Sequence, residues 1–226
     1  LAYAINRDAV CVMAEEARSI GAGVVHFSTE YVFDGAGERA YVEDDAAKPA
    51  GVYGASKLAG EQALAASGAG HLIFRTSWVY GARGKNFLLT ILRLAREREV
   101  VRVVADQHGA PTWSRDLATM TAHVMMQCEN RGGSIVDVLA AVGGTYHAAS
   151  LGETTWHGFA VEAVRLAQAR EPEVKFAAIE AITTAEYPTA ARRPLNSRLN
   201  MDRLALRFGW RMADWRESLG KVMAEI

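Results

Sequence analysis

Residues 53–57 read YGASK, a tyrosine four positions ahead of a lysine, and the run HFSTEYVFDG lies upstream at 26–35. A spacing of four puts Tyr53 and Lys57 on one face of a helix. A phenol with a free pKa of about 10 is a reluctant acid at neutral pH. A neighbouring ammonium favours the phenolate and draws that pKa down, toward the range where a side chain can protonate an alkoxide-like oxygen. The run GVVHFS ends at Ser28, with Thr29 next. Those hydroxyls fall where an open α/β sheet receives ligands, beyond the carboxyl ends of its strands. Gly54, Ala55 and Ser56 are small, which would let a substrate approach the helix start closely. Tyr-x-x-x-Lys alone is a common accident; the strand-end hydroxyls give it a chemical setting.

Such residues need a sheet to hold them. The runs GVVHFS (23–28) and HLIFRTSWV (71–79) are short and nearly continuously apolar, as buried parallel strands are. Helical spacing of apolar residues predicts a helix from Asp8 to about Ile20, ending at Gly21. Further helices are predicted from about Val52 to Ala66, over 86–98, and from about Arg115 to Gln127, with a strand at 100–104. This alternation predicts an α/β fold, part of a doubly wound parallel (Rossmann-like) sheet with helices on both faces, over residues 1–142. Past Gly143 the pattern becomes strand GTYHAAS, helix TTWHGFAVEAVRLAQA, short strand EVKFAAI, a turn-rich stretch and two helices around Trp210. Residues 143–226 therefore read mainly as a smaller C-terminal α/β substrate lobe.

Composition removes several classes. The 226 residues are 50% hydrophobic and 23% charged with a net charge of −1, so no basic field gathers nucleic acid or acidic membranes. No apolar run approaches the ~18–20 residues a bilayer span needs, and the N-terminal LAYAINRDAV has no secretory pattern. Cys11 and Cys128 lie far apart and read as buried thiols, in keeping with a reducing, cytoplasmic setting. Six scattered histidines show no metal-ligand spacing, so no metal is expected. GARGKN (81–86) falls short of a phosphate loop, with Val79 where the first glycine belongs and Asn86 in place of Ser or Thr. The run Glu43, Asp44, Asp45 reads as a solvated loop.

HFSTEYVFDG, YVEDDAAKP, YGASKLAGE, RTSWVYG, DQHGAPT and ARRPLNSRL occur in this order. Together they resemble the extended short-chain dehydrogenases/reductases, more narrowly the members that reduce a 4-keto dTDP-sugar. The resemblance runs from about Ala4 to the region of Trp215. It implies reduction of dTDP-4-dehydro-L-rhamnose to dTDP-L-rhamnose with NADPH or NADH. By position it implies a catalytic set of Thr29, Tyr53 and Lys57. Tyr53 would protonate the C4 oxygen as hydride reaches C4, Lys57 would hold the nicotinamide ribose and tune Tyr53, and Thr29 would orient the carbonyl. Ser28 joins Tyr53 and Lys57 on the cofactor side. Trp78 matches a tryptophan that packs on the sugar, and Asn86, Phe87 and Arg193 fall in segments resembling nucleotide-sugar contacts. The implied partners are a dTDP-sugar and neither nucleic acid nor membrane, with room for a homodimer.

Two departures qualify the resemblance. Glu30 stands where the family usually has Asp. AYAINRDAV resembles a segment that members reach only after their glycine-rich cofactor turn, and no G-x-x-G-x-x-G loop occurs in the sequence. The chain is thus expected to hold the catalytic half without the pyrophosphate cradle and to leave the strand at 23–28 with an unpaired apolar edge. Two rivals remain. Nucleotide-sugar dehydratases and epimerases share the pattern, but dehydratases follow the strand-end Thr with acidic residues, and Tyr31 breaks that. The other is a non-catalytic binding or regulatory homologue, against which the intact Thr29, Tyr53 and Lys57 set argues.

Overall fold

A computed structural model describes residues 1–189 and 193–226. A π-helical turn, Ala4–Asp8, runs into α1 (Ala9–Ser19), followed by β1 (Val24–Thr29), a 3-10 turn (Glu30–Val32), α2 (Val52–Ala66), β2 (His71–Thr76), β3 (Val79–Tyr80), α3 (Phe87–Glu97) and β4 (Val100–Val104). Then come β5 (His108–Gly109), β6 (Thr112–Trp113), α4 (Ser114–Glu129), α5 (Ile135–Val142) and β7 (Gly144–His147). The chain continues through β8 (Thr154–Thr155), α6 (Trp156–Arg170), β9 (Ala178–Ile182), α7 (Asp202–Phe208) and α8 (Trp215–Glu225). Several helices start where a side chain takes up an otherwise orphaned backbone N–H: Asn86 for α3, Ser134 for α5, Thr155 for α6 and Asp214 for α8. Helix α7 stops at Gly209, which adopts the left-handed conformation at φ +66.

The main sheet has the order β1-β2-β7, all parallel, with Thr29 opposite Thr76 and Arg75 opposite His147. Side chains alternate across β2, as the pleat requires. Ile73 packs with Val10, Ala14 and Leu64 of α1 and α2. Leu72 and Phe74 point the other way, onto Met120 and Val124 of α4 and Leu139 of α5. Helices thus cover both faces. A second core forms where α3, α6 and α8 bring Leu88, Ile91, Phe159, Ala163, Trp215 and Leu219 onto the parallel pair β4-β9.

Strand pairing does not follow a cut at residue 143. β7 lies beyond that point and pairs with β2, whereas β4 lies before it and pairs with β9. β1 is the outer strand of its sheet among the described residues. Its last residues, Ser28 and Thr29, are buried, while Phe27 is 41% exposed. Two readings of single residues need correction. Cys11 is only half-buried, on the outer part of α1, where its thiol meets Glu15; Cys128 is buried as expected. Glu43 is buried rather than solvated, because its carboxylate accepts the His147 backbone N–H at 2.9 Å at the end of β7. Asp44 and Asp45 pair with Arg203 and Arg39.

Candidate active site

The carboxyl end of β1 meets the start of α2, and there the hydroxyl, phenol and ammonium groups gather. Thr29 is the last residue of β1. Its hydroxyl accepts the Tyr31 N–H at 3.2 Å and donates to Glu30 Oε2 at 2.8 Å. Tyr53 is 52% exposed and meets Tyr31 edge-on, with ring centroids 5.6 Å apart. Its pKa is nonetheless raised: burial of the phenol is the largest cause, and the charge of Glu30 adds to it against the pull of Thr29.

Lys57, one helical turn on, sends its ammonium to the strand. Nζ donates to the Phe27 carbonyl at 2.6 Å and lies 3.2 Å from His26 Nε2. Lysine offers only donors, so Nε2 is the acceptor in that contact. Burial, and then the charge of Lys57, push the His26 pKa down to about 4, leaving a neutral imidazole to receive the ammonium. Burial also lowers the pKa of Lys57. The expectation that Lys57 draws the Tyr53 pKa down is therefore not what this arrangement delivers; desolvation governs the phenol.

The small residues of YGASK have a different purpose from the one the sequence suggested. A Cβ on Gly54 would lie 2.0 Å from the Tyr31 carbonyl oxygen, so Gly54 lets α2 press on the 30–32 turn rather than on a ligand. Ser56 is buried, donating to the Tyr53 carbonyl and accepting from the Asn6 amide. Ser28 differs from both: its hydroxyl is buried with no hydrogen-bond partner among the described residues.

Glu30 and Ser197 complete the corner, and sequence reasoning gave neither a task there. Glu30 is 4% exposed, in contact with the hydroxyls of Thr29 and Ser197, and burial pushes its pKa up to about 7. Ser197 arrives from the C-terminal segment, whose Asn196 amide donates to the carbonyls of Gly37 at 2.8 Å and Arg39 at 2.7 Å. Arg193, exposed on that segment, has its charge near enough to Tyr31 to favour the phenolate, and Tyr31 in turn meets the Tyr53 ring.

Trp78 follows β2 two residues past Thr76. It holds φ +46, unusual for a residue with a side chain, and is 9% exposed. Its ring stacks on Trp156, with centroids 3.8 Å apart and an interplanar angle of 16°. Phe87 lies 4.6 Å from Trp156, so these rings form one cluster whose partner Trp156 the sequence reading missed. Asn86 caps α3 through its side-chain oxygen and donates its amide to the carbonyls of Gly81 and Arg83. Thr29, Tyr53, Lys57 and Ser28 are thus brought together, with Arg193 adjoining through Tyr31. Phe87 joins Trp78 through Trp156, and the Asn86 hydrogen bonds all go to α3 and the loop before it.

A parallel sheet covered on both faces, with Thr29, Tyr53 and Lys57 gathered at a strand end, is the arrangement of a Rossmann-like protein of the extended short-chain dehydrogenase/reductase class. The chain belongs to the RmlD substrate binding domain family, whose model matches residues 1–226. It is 45% identical over 230 residues to the dTDP-4-dehydrorhamnose reductase of Burkholderia thailandensis, covering 100% of this chain and 75% of that protein. It is 43% identical over 227 residues to the Escherichia coli protein of the same name, covering 100% of this chain and 73% of the relative. The crystal structure of dTDP-4-dehydrorhamnose reductase from Bacillus anthracis in complex with NADP matches with a TM-score of 0.87 at 34% identity, over 99% of this chain and 73% of that one. The dTDP-glucose 4,6-dehydratase of the same organism, 14% identical with a TM-score of 0.75, shares the fold.

Proposed function

We propose that the protein reduces the 4-keto group of dTDP-4-dehydro-L-rhamnose to give dTDP-L-rhamnose, using NADPH, with Tyr53 as the general acid. The observation that carries this reading is the Tyr53 phenol, packed edge-on against Tyr31 just past the end of β1 while half of the residue stays open to a ligand. The cofactor fits the same corner, because the buried Ser28 hydroxyl lacks a partner among the described residues where a ribose or nicotinamide group could supply one. Ser28, Tyr53 and Lys57 would hold the nicotinamide ribose, and the bound cofactor supplies the hydride. Tyr53 gives its proton to the C4 oxygen, and Thr29 orients the carbonyl. Trp78 offers its ring to the sugar, with one face held by the stacked Trp156. Phe87 and Arg193 border the nucleotide side, and Asn86 shapes the loop there.

Replacing Tyr53 with Phe tests the assignment. It keeps the ring and its contact with Tyr31 but removes the proton. The expected result is a loss of kcat of about 10²–10⁴-fold with dTDP-sugar affinity, measured by calorimetry, near that of the parent. A variant that kept more than about a tenth of the parental kcat would remove Tyr53 from the role of acid. A parent protein that binds both dTDP-sugar and NADPH but never oxidises NADPH would instead be a binding homologue.

A further inference from the structure

Val24, His26 and Ser28 share one face of β1, and Val24 packs there on the cluster that α1 and α2 form with Ile73. On that face His26 meets Lys57 of α2. The lysine ammonium donates at 2.6 Å to the Phe27 carbonyl and at 3.2 Å to His26 Nε2. A partly buried ammonium is ordinarily paired with a carboxylate. Glu61, one turn further along α2, is the carboxylate whose charge reaches Lys57, and it is engaged by Arg75 instead. Both hydrogen-bond partners of Lys57 are therefore neutral. They replace the water that burial removes and leave the positive charge whole. An imidazole accepts only through a nitrogen that carries no proton, so the tautomer here has its proton on Nδ1. Among the described residues two of the three ammonium donors are taken, and the third is left for a ligand.

Resting on the reductase reading, we propose that His26 is the positioning residue for Lys57, its imidazole fixing the ammonium at the strand for the nicotinamide ribose without cancelling its charge. Two acceptors from one strand define a place for Nζ. The Phe27 carbonyl alone would let a flexible four-carbon side chain swing about it. A carboxylate at position 26 would hold the ammonium as firmly but neutralise it, and a hydrocarbon would not hold it at all. With His26 in place, the ribose hydroxyls meet a cation that is already ordered and still has a donor to give. The freedom lost in ordering that side chain is then lost before the cofactor arrives, which strengthens binding. The tie also turns Lys57 toward the strand, so Lys57 and Tyr53 share a helix face without sharing a task. His26 acts only through Lys57 and not on the reacting atoms.

Nitrogen-15 NMR of the ligand-free protein at neutral pH tests the tie directly, with His26→Gln showing which of the six histidine signals belongs to His26. Nδ1 of His26 should carry the proton, and the bare Nε2 should shift when Lys57→Met removes its donor. A proton on Nε2, or an Nε2 signal indifferent to Lys57→Met, overturns the proposal. The kinetic arm compares parent, His26→Leu and His26→Gln over a range of NADPH at saturating dTDP-sugar. His26→Leu should raise the KM for NADPH about tenfold and leave kcat within about twofold, because the loosened lysine meets ribose less well while Tyr53 keeps its proton. His26→Gln, whose side-chain oxygen can take the place of Nε2, should recover most of that loss. A parental KM in His26→Leu, or a KM raised equally in both variants, overturns the proposal and leaves His26 a packing residue. If His26→Leu does not fold, the spectra of the parent and of Lys57→Met decide alone. A parent that binds dTDP-sugar and NADPH without turnover sinks the reductase reading instead, and the spectra still decide whether His26 holds Lys57.

Discussion

Trp78 shows how a single residue can carry strain for a site. A left-handed backbone at φ +46 costs a residue with a side chain of order 1–3 kcal/mol, and the surroundings must hold it there. Trp156 supplies a stacked face, and Gly109 lies so close that an added Cβ would fall 2.7 Å from the indole. Gly109→Ala should therefore push Trp78 off Trp156, lowering stability by about 1–3 kcal/mol and weakening dTDP-sugar binding in a calorimetric titration. Unchanged affinity alongside the stability loss would separate Trp78 from the sugar site. At this scale the sequence was legible where chemistry depends on spacing: Thr29 at a strand end, with Tyr53 and Lys57 one helical turn apart. It was not legible where chemistry depends on where a side chain ends up. Spacing says which face Lys57 shares; it does not say that the ammonium will find the Phe27 carbonyl and His26. Nor does it reveal that Glu30 will be buried, since its cover comes from a segment remote in the chain.

At the scale of elements, α2 is the part that must not shift. Tyr53, Lys57 and Glu61 follow one another at four-residue intervals, so the face that carries the proposed acid continues into an anchor. Glu61 accepts a forked hydrogen bond from Arg75 of β2, with Nη2 and Oε2 2.6 Å apart and both side chains buried. Arg75 also lies 5.1 Å over the Phe33 ring. Removing one partner of a buried pair leaves the other charge uncompensated, which costs about 3–5 kcal/mol. Glu61→Ala should accordingly lower the melting temperature by roughly 10 °C, and Glu61→Leu with Arg75→Met should recover most of it. A melt of Glu61→Ala within a degree or two of the parent would show that α2 is held by its apolar contacts alone. Most helices and the strands β1, β2, β4 and β7 were legible because their periodicity and caps are local, whereas the strand expected over 173–179 forms instead at Ala178–Ile182, where β4 pairs with it. Helix α5 went unread, and the two-residue strands β3, β5, β6 and β8 exist only through their pairing partners. Such pairing is decided between distant segments, and so is the crossing of β4 to β9 and β7 to β2.

For the molecule as a whole, buried titratable groups set a pH of greatest stability. Glu30 has its pKa raised from 4.5 to about 7, so the folded state holds that proton more tightly than the unfolded chain. Its contribution is present below pH 4.5 and is lost between 4.5 and about 7, a change of about 3 kcal/mol. His26 and His147 act in the opposite sense, their pKa values lowered by burial to about 4 and about 3. Their contribution is present above 6.5 and is lost as pH falls toward those values. Two rising terms outweigh one falling term until the histidines are neutral, so urea titrations should find a maximum near pH 6.5. In Glu30→Gln the decline above that pH should disappear; a decline that persisted would locate the cause elsewhere. The C-terminal segment that shelters Glu30 has a further consequence. Asn196 grips the loop at Gly37 across a chain separation of 159 residues. On the ribosome, at roughly 5–20 residues per second, Thr29, Tyr53 and Lys57 are made on the order of ten seconds before Ser197 exists. The corner around Glu30 is therefore closed only once the segment that carries Asn196 and Ser197 has been made and has folded back onto the loop at Gly37.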